Sequence, residues 1–174
     1  PTSGTRLALS VFKTKLFPSL QSKISAELVV TEFAGHAYET IRSRDLTDCS
    51  GIVIVSGDGL VHEVLNGLFT RPDFDQVIAA VPIGLVPGGT GNALACSVLY
   101  ERNISIGSDL GVGPSIRNVE HFVRFGSTQS LDLIEMEHFS RPNEKILSSI
   151  GASIGITADV DIGSEWMRCL GFFR

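Results

Sequence analysis

Cysteine is scarce in this 174-residue chain, and the three present, Cys49, Cys96 and Cys169, show no Cys-x-x-Cys spacing. So few and so scattered thiols predict neither a disulfide framework nor a thiolate metal site, and fit a reducing, cytosolic setting. The four histidines are equally dispersed, so no structural metal site is expected. Basic charge is also short: 14 Lys and Arg against 19 Asp and Glu leave a net charge of −5. That deficit removes the footprint of a nucleic-acid binder and argues against steady attachment to an anionic membrane face. No stretch comes near the ~18 uninterrupted apolar residues of a membrane span. The longest candidate, Val77 to Val86, contains Pro82 and Gly84. The first residues lack the basic and apolar segments of a signal peptide, so no secretory leader is expected. What the chain does have is apolar content, 43% against 19% charged, enough to bury a core in one domain and part of a second.

Glycine is the other abundant resource, and it is concentrated where it can do chemistry. The run Ser56-Gly57-Asp58-Gly59-Leu60-Val61-His62-Glu63 sets one carboxylate between two glycines, where an apolar strand, Gly51 to Val55, gives way to a helix from Leu60 to Phe69. Glycines let the backbone turn sharply and approach a ligand. The N-terminus of the following helix favours phosphate. An Asp at such a place can accept the proton of an attacking hydroxyl, although an Asp capping its own helix gives the same pattern. Roughly thirty residues on, the length of one βαβ unit, the pattern returns. A Val81–Val86 strand runs into Pro87-Gly88-Gly89-Thr90-Gly91-Asn92 and then a helix from Gly91 to about Tyr100. In a parallel sheet both loops open on one crevice at the strand ends. With Thr90 and Asn92 as hydrogen-bonding groups, the pair predicts a nucleotide-phosphate site lined by amides of Gly57, Gly59, Gly88, Gly89 and Gly91. Neither loop is a Walker A sequence or a full Gly-x-Gly-x-x-Gly fingerprint.

Around these loops the spacing predicts a helix over 6–24 ended or kinked by Pro18, a strand over Glu27–Thr31 and a helix over Gly35–Leu46. The Leu60 helix is expected to bury Leu60, Val61, Val64, Leu65 and Leu68 and to leave His62, Glu63 and Asn66 on its polar side. Pro114 opens a helix to Phe125. The fold class expected is α/β, a Rossmann-like parallel sheet forming a nucleotide-binding domain over 1–128. From Gln129 the grammar changes. Leu131–Glu137 and Lys145–Ile156 flank a turn at Ser140–Glu144, which predicts a β-hairpin and the start of an antiparallel β-sandwich domain over 129–174.

Five segments together resemble the sphingosine kinases, within the diacylglycerol kinase family of lipid kinases. They are Pro1 to Ala8, Thr31-Glu32 with His36-Ala37, residues 56 to 67, Pro87 to Ala95, and Gly155 to Gly171 with its Ala158-Asp159-Val160-Asp161. Two departures stand out: the family's opening Asn is absent before Pro1, and Ile154 stands where these kinases usually carry Trp. The resemblance implies phosphorylation of the primary hydroxyl of a sphingoid base, with ATP and Mg²⁺ as cofactors; diacylglycerol or another lipid alcohol is the alternative. It implies Asp58 as the catalytic base. The nucleotide would be met by Ser3, Gly4, Thr31, Ser56, Gly57, Gly59, Glu63, Gly88, Gly89, Thr90, Gly91, Asn92 and Arg168. Asp161 would face the lipid head group, opposite Asp159 on an extended stretch. Glu63 has several open readings: it holds a cation, orients the loop, or is a solvated or salt-bridged side chain. Cytoplasmic residence with transient, peripheral membrane contact to collect lipid follows from the same resemblance, as does a second domain only begun here.

Overall fold

In the computed structural model the chain is described over residues 8–20, 24–105, 112–126, 128–153 and 155–163. The first helical stretch consists of α1 (Ala8–Val11), a π-turn over Phe12–Leu16, and α2 (Phe17–Leu20). Pro18 does not end it. Proline has no N–H to give to the preceding turn and its ring crowds the carbonyl there. The turn before it is widened by one residue, so that Phe17 N–H reaches Phe12 O. Val11, Leu16 and Leu20 still point inward.

Glu27–Thr31 belongs to no strand pair among the described residues, which corrects the predicted strand. Leu28, Val29 and Val30 stay 41–45% exposed. A β-branched run becomes a strand only when a neighbour takes up its amides and carbonyls. Helix α3 (His36–Ser43) follows Gly35, whose φ of 88° suits glycine, and ends earlier than predicted because Arg44 is already extended.

Strand β1 (Ile52–Ser56) leads directly into α4 (Asp58–Phe69), which begins two residues before the predicted Leu60. Val61, Val64, Leu65 and Leu68 are buried as the periodicity requires. Asn66 is buried too, against expectation, because β4 packs on that side of the helix (below). A Cβ on Gly67 would stand 2.7 Å from Tyr38 O, so α3 and α4 cross at backbone contact. A short helix, α5 (Phe74–Ala80), falls where the sequence reads only as an apolar window. It leads into strand β2 (Ile83–Pro87), which pairs with β1 in parallel, Ile52 opposite Ile83 through Ser56 opposite Pro87. Helix α6 (Ala93–Glu101) and helix α7 (Val112–Phe125) complete this part, α7 lying on β2.

Two apolar clusters hold these layers. One joins α3, α4, α5 and β1 through Ile41, Ile54, Val64, Leu65, Leu68 and Val77. The other joins the first helical stretch to β2 and α7 through Leu16, Leu20, Val86, Ile116 and Val119.

The hairpin is present as β3 (Ile134–His138) and β4 (Arg141–Ser148), paired antiparallel as a separate two-stranded sheet. Its turn is tighter than predicted. Arg141–Glu144 already lie in β4, and Pro142 is accommodated where the register shifts between Glu137 and His138. The stretch read as extended around Asp159 and Asp161 is instead helix α8 (Ile156–Gly163). The result, among the described residues, is a mixed α/β fold with one parallel and one antiparallel sheet.

Candidate active site

Because β1 and β2 run in register, the chain leaves both at the same edge, Ser56 beside Pro87. Gly88 N–H donates to Ser56 O at 3.0 Å and extends the pairing one step beyond the strands. The two glycine loops then touch. A Cβ on Gly57 would stand 2.9 Å from the Gly89 Cα, and one on Gly89 would overlap the Gly57 backbone. Only glycine at both positions allows the crossing, which is why both loops carry it.

Asn92 closes the second loop. It has a left-handed φ of 54°, a conformation Asn adopts more readily than most residues. Its Oδ1 accepts the Gly89 N–H and its Nδ2 donates to Gly89 O, both at 2.8 Å. The side chain is buried and fully paired, so its part here is to hold the loop. The Gly88 and Gly89 amides, expected to face phosphate, are thus bound to Ser56 O and to Asn92 Oδ1. Gly59, Thr90 and Gly91 lie exposed at the mouth, and Ser56 is half-buried behind them.

Asp58 is the first residue of α4, and Gly57 is that helix's N-cap without a side-chain bond. Its carboxylate caps a different helix. Oδ2 accepts Ala93 N–H at 2.9 Å and Oδ1 accepts Leu94 N–H at 3.2 Å, the first amides of α6. The own-helix cap suggested by the sequence is therefore replaced by a cap across the two loops. The negative charge sits at the positive end of the α6 dipole, and a Cβ on Gly91 would be 3.0 Å from Oδ2. One half-exposed carboxylate thus stands where both loops converge, with the side chain fixed but its surface open. One turn into α6, burial and then the nearby Asp58 charge push the Cys96 thiol up, so it stays a neutral, inert thiol.

Glu63 lies one turn beyond, half-buried and turned towards α3. Its Oε2 accepts Ala37 N–H at 3.1 Å, capping α3 from across the helix pair. The turn before α3 is fixed from within: Glu32 N–H donates to His36 Nδ1 at 3.0 Å, and the Phe33 and His36 rings stack at 4.8 Å. Thr31 sits half-buried just ahead of that turn. The two carboxylates of α4 therefore hold the N-termini of two neighbouring helices.

The sequence-derived set divides accordingly. Ser56, Gly57, Asp58, Gly59, Gly88, Gly89, Thr90, Gly91 and Asn92 come together at the two loops, while Thr31 and Glu63 belong to the adjoining α3 side. Ser3, Gly4 and Arg168 lie outside the described residues, and Asp161 falls in α8. Among the described residues no group of three or more His, Cys, Asp or Glu could hold a metal. Mg²⁺ in phosphoryl-transfer enzymes is usually bound by substrate phosphates, waters and one or two carboxylates, and Asp58 is the half-exposed carboxylate where the two loops meet.

Two residues escaped the sequence reading. The Arg71 guanidinium donates to Ile41 O at 2.6 Å and Arg44 O at 2.7 Å, closing the C-terminal end of α3, and pairs with both oxygens of Asp73 at 2.8 Å. Asn66 bonds both backbone groups of Leu147 in β4. It lies at the edge of a cleft of about 390 Å³ between α3, α4 and β4, lined by Tyr38, His62, Asn66, Thr70 and residues 143–146. No local pattern announces the bonds of Arg71 to α3 or of Asn66 to β4, because those partners lie 27 to 81 positions away.

Residues 1–133 match the family model described as the diacylglycerol kinase catalytic domain. Over its whole length the chain is 36% identical to sphingosine kinase 2 of Homo sapiens, covering 26% of that protein. It is 34% identical to sphingosine kinase 1 of Caenorhabditis elegans, covering 36% of it, and 34% identical to human sphingosine kinase 1, covering 44%. The chain thus spans between about a quarter and under half the length of these curated relatives.

Proposed function

Since the chain belongs to the diacylglycerol kinase catalytic-domain family, we propose that its whole protein is a lipid kinase that transfers the γ-phosphate of ATP to the primary hydroxyl of a sphingoid base. The observation that carries this reading is the Asp58 carboxylate standing where the two glycine loops meet, held by two α6 amides. A phosphoryl-transfer site needs a positioned base and amide-rich loops, and little other covalent machinery. Asp58 takes the proton of the lipid hydroxyl as its oxygen bonds to the γ-phosphorus, and the bond to the β-phosphate oxygen breaks to release ADP. Oδ1, on the longer of the two amide bonds, is the oxygen released for that proton.

Thr90, Gly91 and Gly59 meet the phosphates at the open mouth with Ser56 behind them, while Gly57, Gly88, Gly89 and Asn92 build the crossing of the two loops. Thr31, positioned through Glu63, together with Ser3, Gly4 and Arg168, completes the nucleotide side. Mg²⁺ supplies charge neutralisation on the phosphates when the nucleotide binds. Residues 1–128 form the nucleotide-binding domain, and 129–174 begin an antiparallel β-sandwich domain in which Asp161 meets the lipid ammonium. The protein resides in the cytoplasm and touches membranes transiently to collect lipid. The names of the relatives support a sphingoid base, and the family description keeps diacylglycerol as the second reading.

The test follows label from γ-labelled ATP onto sphingosine, diacylglycerol and ceramide, using the full-length protein and its Asp58→Asn variant. We expect sphingosine to be labelled, and kcat to fall by ~10²–10⁴ in the variant, the usual worth of a positioned base. Wild-type kcat in the variant would remove Asp58 from the mechanism. Label on diacylglycerol alone would turn the substrate to the second reading.

A further inference from the structure

Asn66 is a buried polar side chain that ties the helix carrying Asp58 to the hairpin. Leu147 lies opposite Glu135 in the β3–β4 ladder, and its amide and carbonyl are taken up by Asn66, away from β3. Leu147 N–H donates to Asn66 Oδ1 at 2.8 Å, and Asn66 Nδ2 donates to Leu147 O at 2.9 Å. Nδ2 also donates to His62 O at 2.9 Å, so the amide is anchored to its own helix by the same group. A single side chain thereby acts as a one-residue strand along the open edge of β4. The Leu147 side chain is buried, which seats the hairpin on the same place through apolar contact.

The attachment has consequences beyond it in the chain. The Ser148 Oγ accepts Gly151 N–H at 3.0 Å and Ile150 N–H at 3.3 Å, so the chain is turned immediately after the clamped residue. Helix α8 begins at Ile156, only a few residues later. Along α4, Asn66 stands eight residues from Asp58, about 12 Å on a rigid helix. We propose that Asn66 is a positioning residue: it fixes the start of the acceptor-side stretch, through Leu147, at a set distance from the Asp58 carboxylate. This rests on the reading of Asp58 as base and of α8 as part of the lipid side. Only a side chain that both donates and accepts can make the pair, so Asp in its place would set an acceptor against the carbonyls of Leu147 and His62.

The experiment compares the full-length protein with Asn66→Asp and Asn66→Ala by hydrogen exchange of the amides over 145–148 and by steady-state kinetics. Two bonds of ordinary strength are lost, so exchange there should quicken by about 10-fold or more. KM for the lipid should rise by about 10-fold, while KM for ATP stays within about twofold. Should these variants fail to fold, Asn66→Gln, which keeps the amide but displaces it by a methylene, carries the same readings with smaller changes. Unchanged exchange over 145–148 would overturn the clamp. Equal changes in both KM values would overturn the acceptor-side role and leave only a structural one. If the wild-type protein labels another alcohol, the split is read on that alcohol. If it labels none, the function proposed above fails and the acceptor-side role fails with it, while the exchange result still decides the clamp.

Discussion

At the residue scale the site depends on atoms that are missing. Gly57 and Gly89 pass so closely that neither can carry a Cβ without moving the other loop. Asn92 then spends its whole amide on the Gly89 backbone. Gly89→Ala should therefore open the crossing, pull the α6 amides from Asp58 and lower kcat by at least ~10²-fold, since displacements near 1 Å already cost that much in positioned chemistry. Steady-state kinetics on the full-length variant, with its circular dichroism as a check on folding, measures this. Gly59→Ala is the control, because a Cβ there meets nothing within 4 Å, and it should leave the fold intact. Equal folding and equal kcat in Gly89→Ala and wild type would contradict the close crossing.

At the element scale α3 is held at both ends by α4 and the turn after it. Glu63 takes an amide at its N-terminus, and Arg71 takes the carbonyls of Ile41 and Arg44 at its C-terminus. The Arg71 side chain is only 7% exposed, so these bonds are well shielded from water. Lysine cannot reproduce the planar fork that serves carbonyls and Asp73 together. Arg71→Lys should cost about 1.5–3 kcal/mol of stability, the worth of charge-assisted bonds, as read from urea midpoints. The hydrogen bond from Arg71 holds the Asp73 carboxyl below its ordinary range. A carboxyl depressed in the folded state stabilises fully above its unfolded pKa, and that contribution fades as pH falls through the folded value. The gap in Tm between wild type and Asp73→Asn should thus be constant near neutrality and shrink below about pH 4. A gap that widened on acidification would mean that the pair does not stabilise the fold.

At the scale of the whole molecule the two sheets differ in how they are covered. The parallel sheet is wrapped by helices and two apolar clusters, whereas the hairpin and α8 leave Phe139, Ile150, Ile156, Val160 and Ile162 between 56% and 100% exposed. Exposed apolar groups of that number call for a covering partner. The 174 residues expressed alone should therefore self-associate and phosphorylate sphingosine far more slowly than the full-length protein. Analytical ultracentrifugation and a labelled-ATP assay check this, and a monodisperse monomer at full activity would contradict it.

The chain's own order determined a good deal. Apolar runs placed β1 and β2, glycines marked both loops, and the spacing between them put Asp58 and Asn92 at one sheet edge, because in-register parallel strands must release their loops together. The hairpin was legible from alternation and turn residues, though its turn was misjudged where a register shift absorbs Pro142. Tertiary structure alone decided which helix Asp58 caps, which amide Glu63 accepts, why Asn66 is buried, and that Asp159 lies in a helix. Among the described residues it also left Glu27–Thr31 outside any strand pair despite its β-branched residues. The bonds of Asp58, Glu63 and Asn66 turn on partners 26 to 81 residues away, and local propensity is too weak to outweigh such partners.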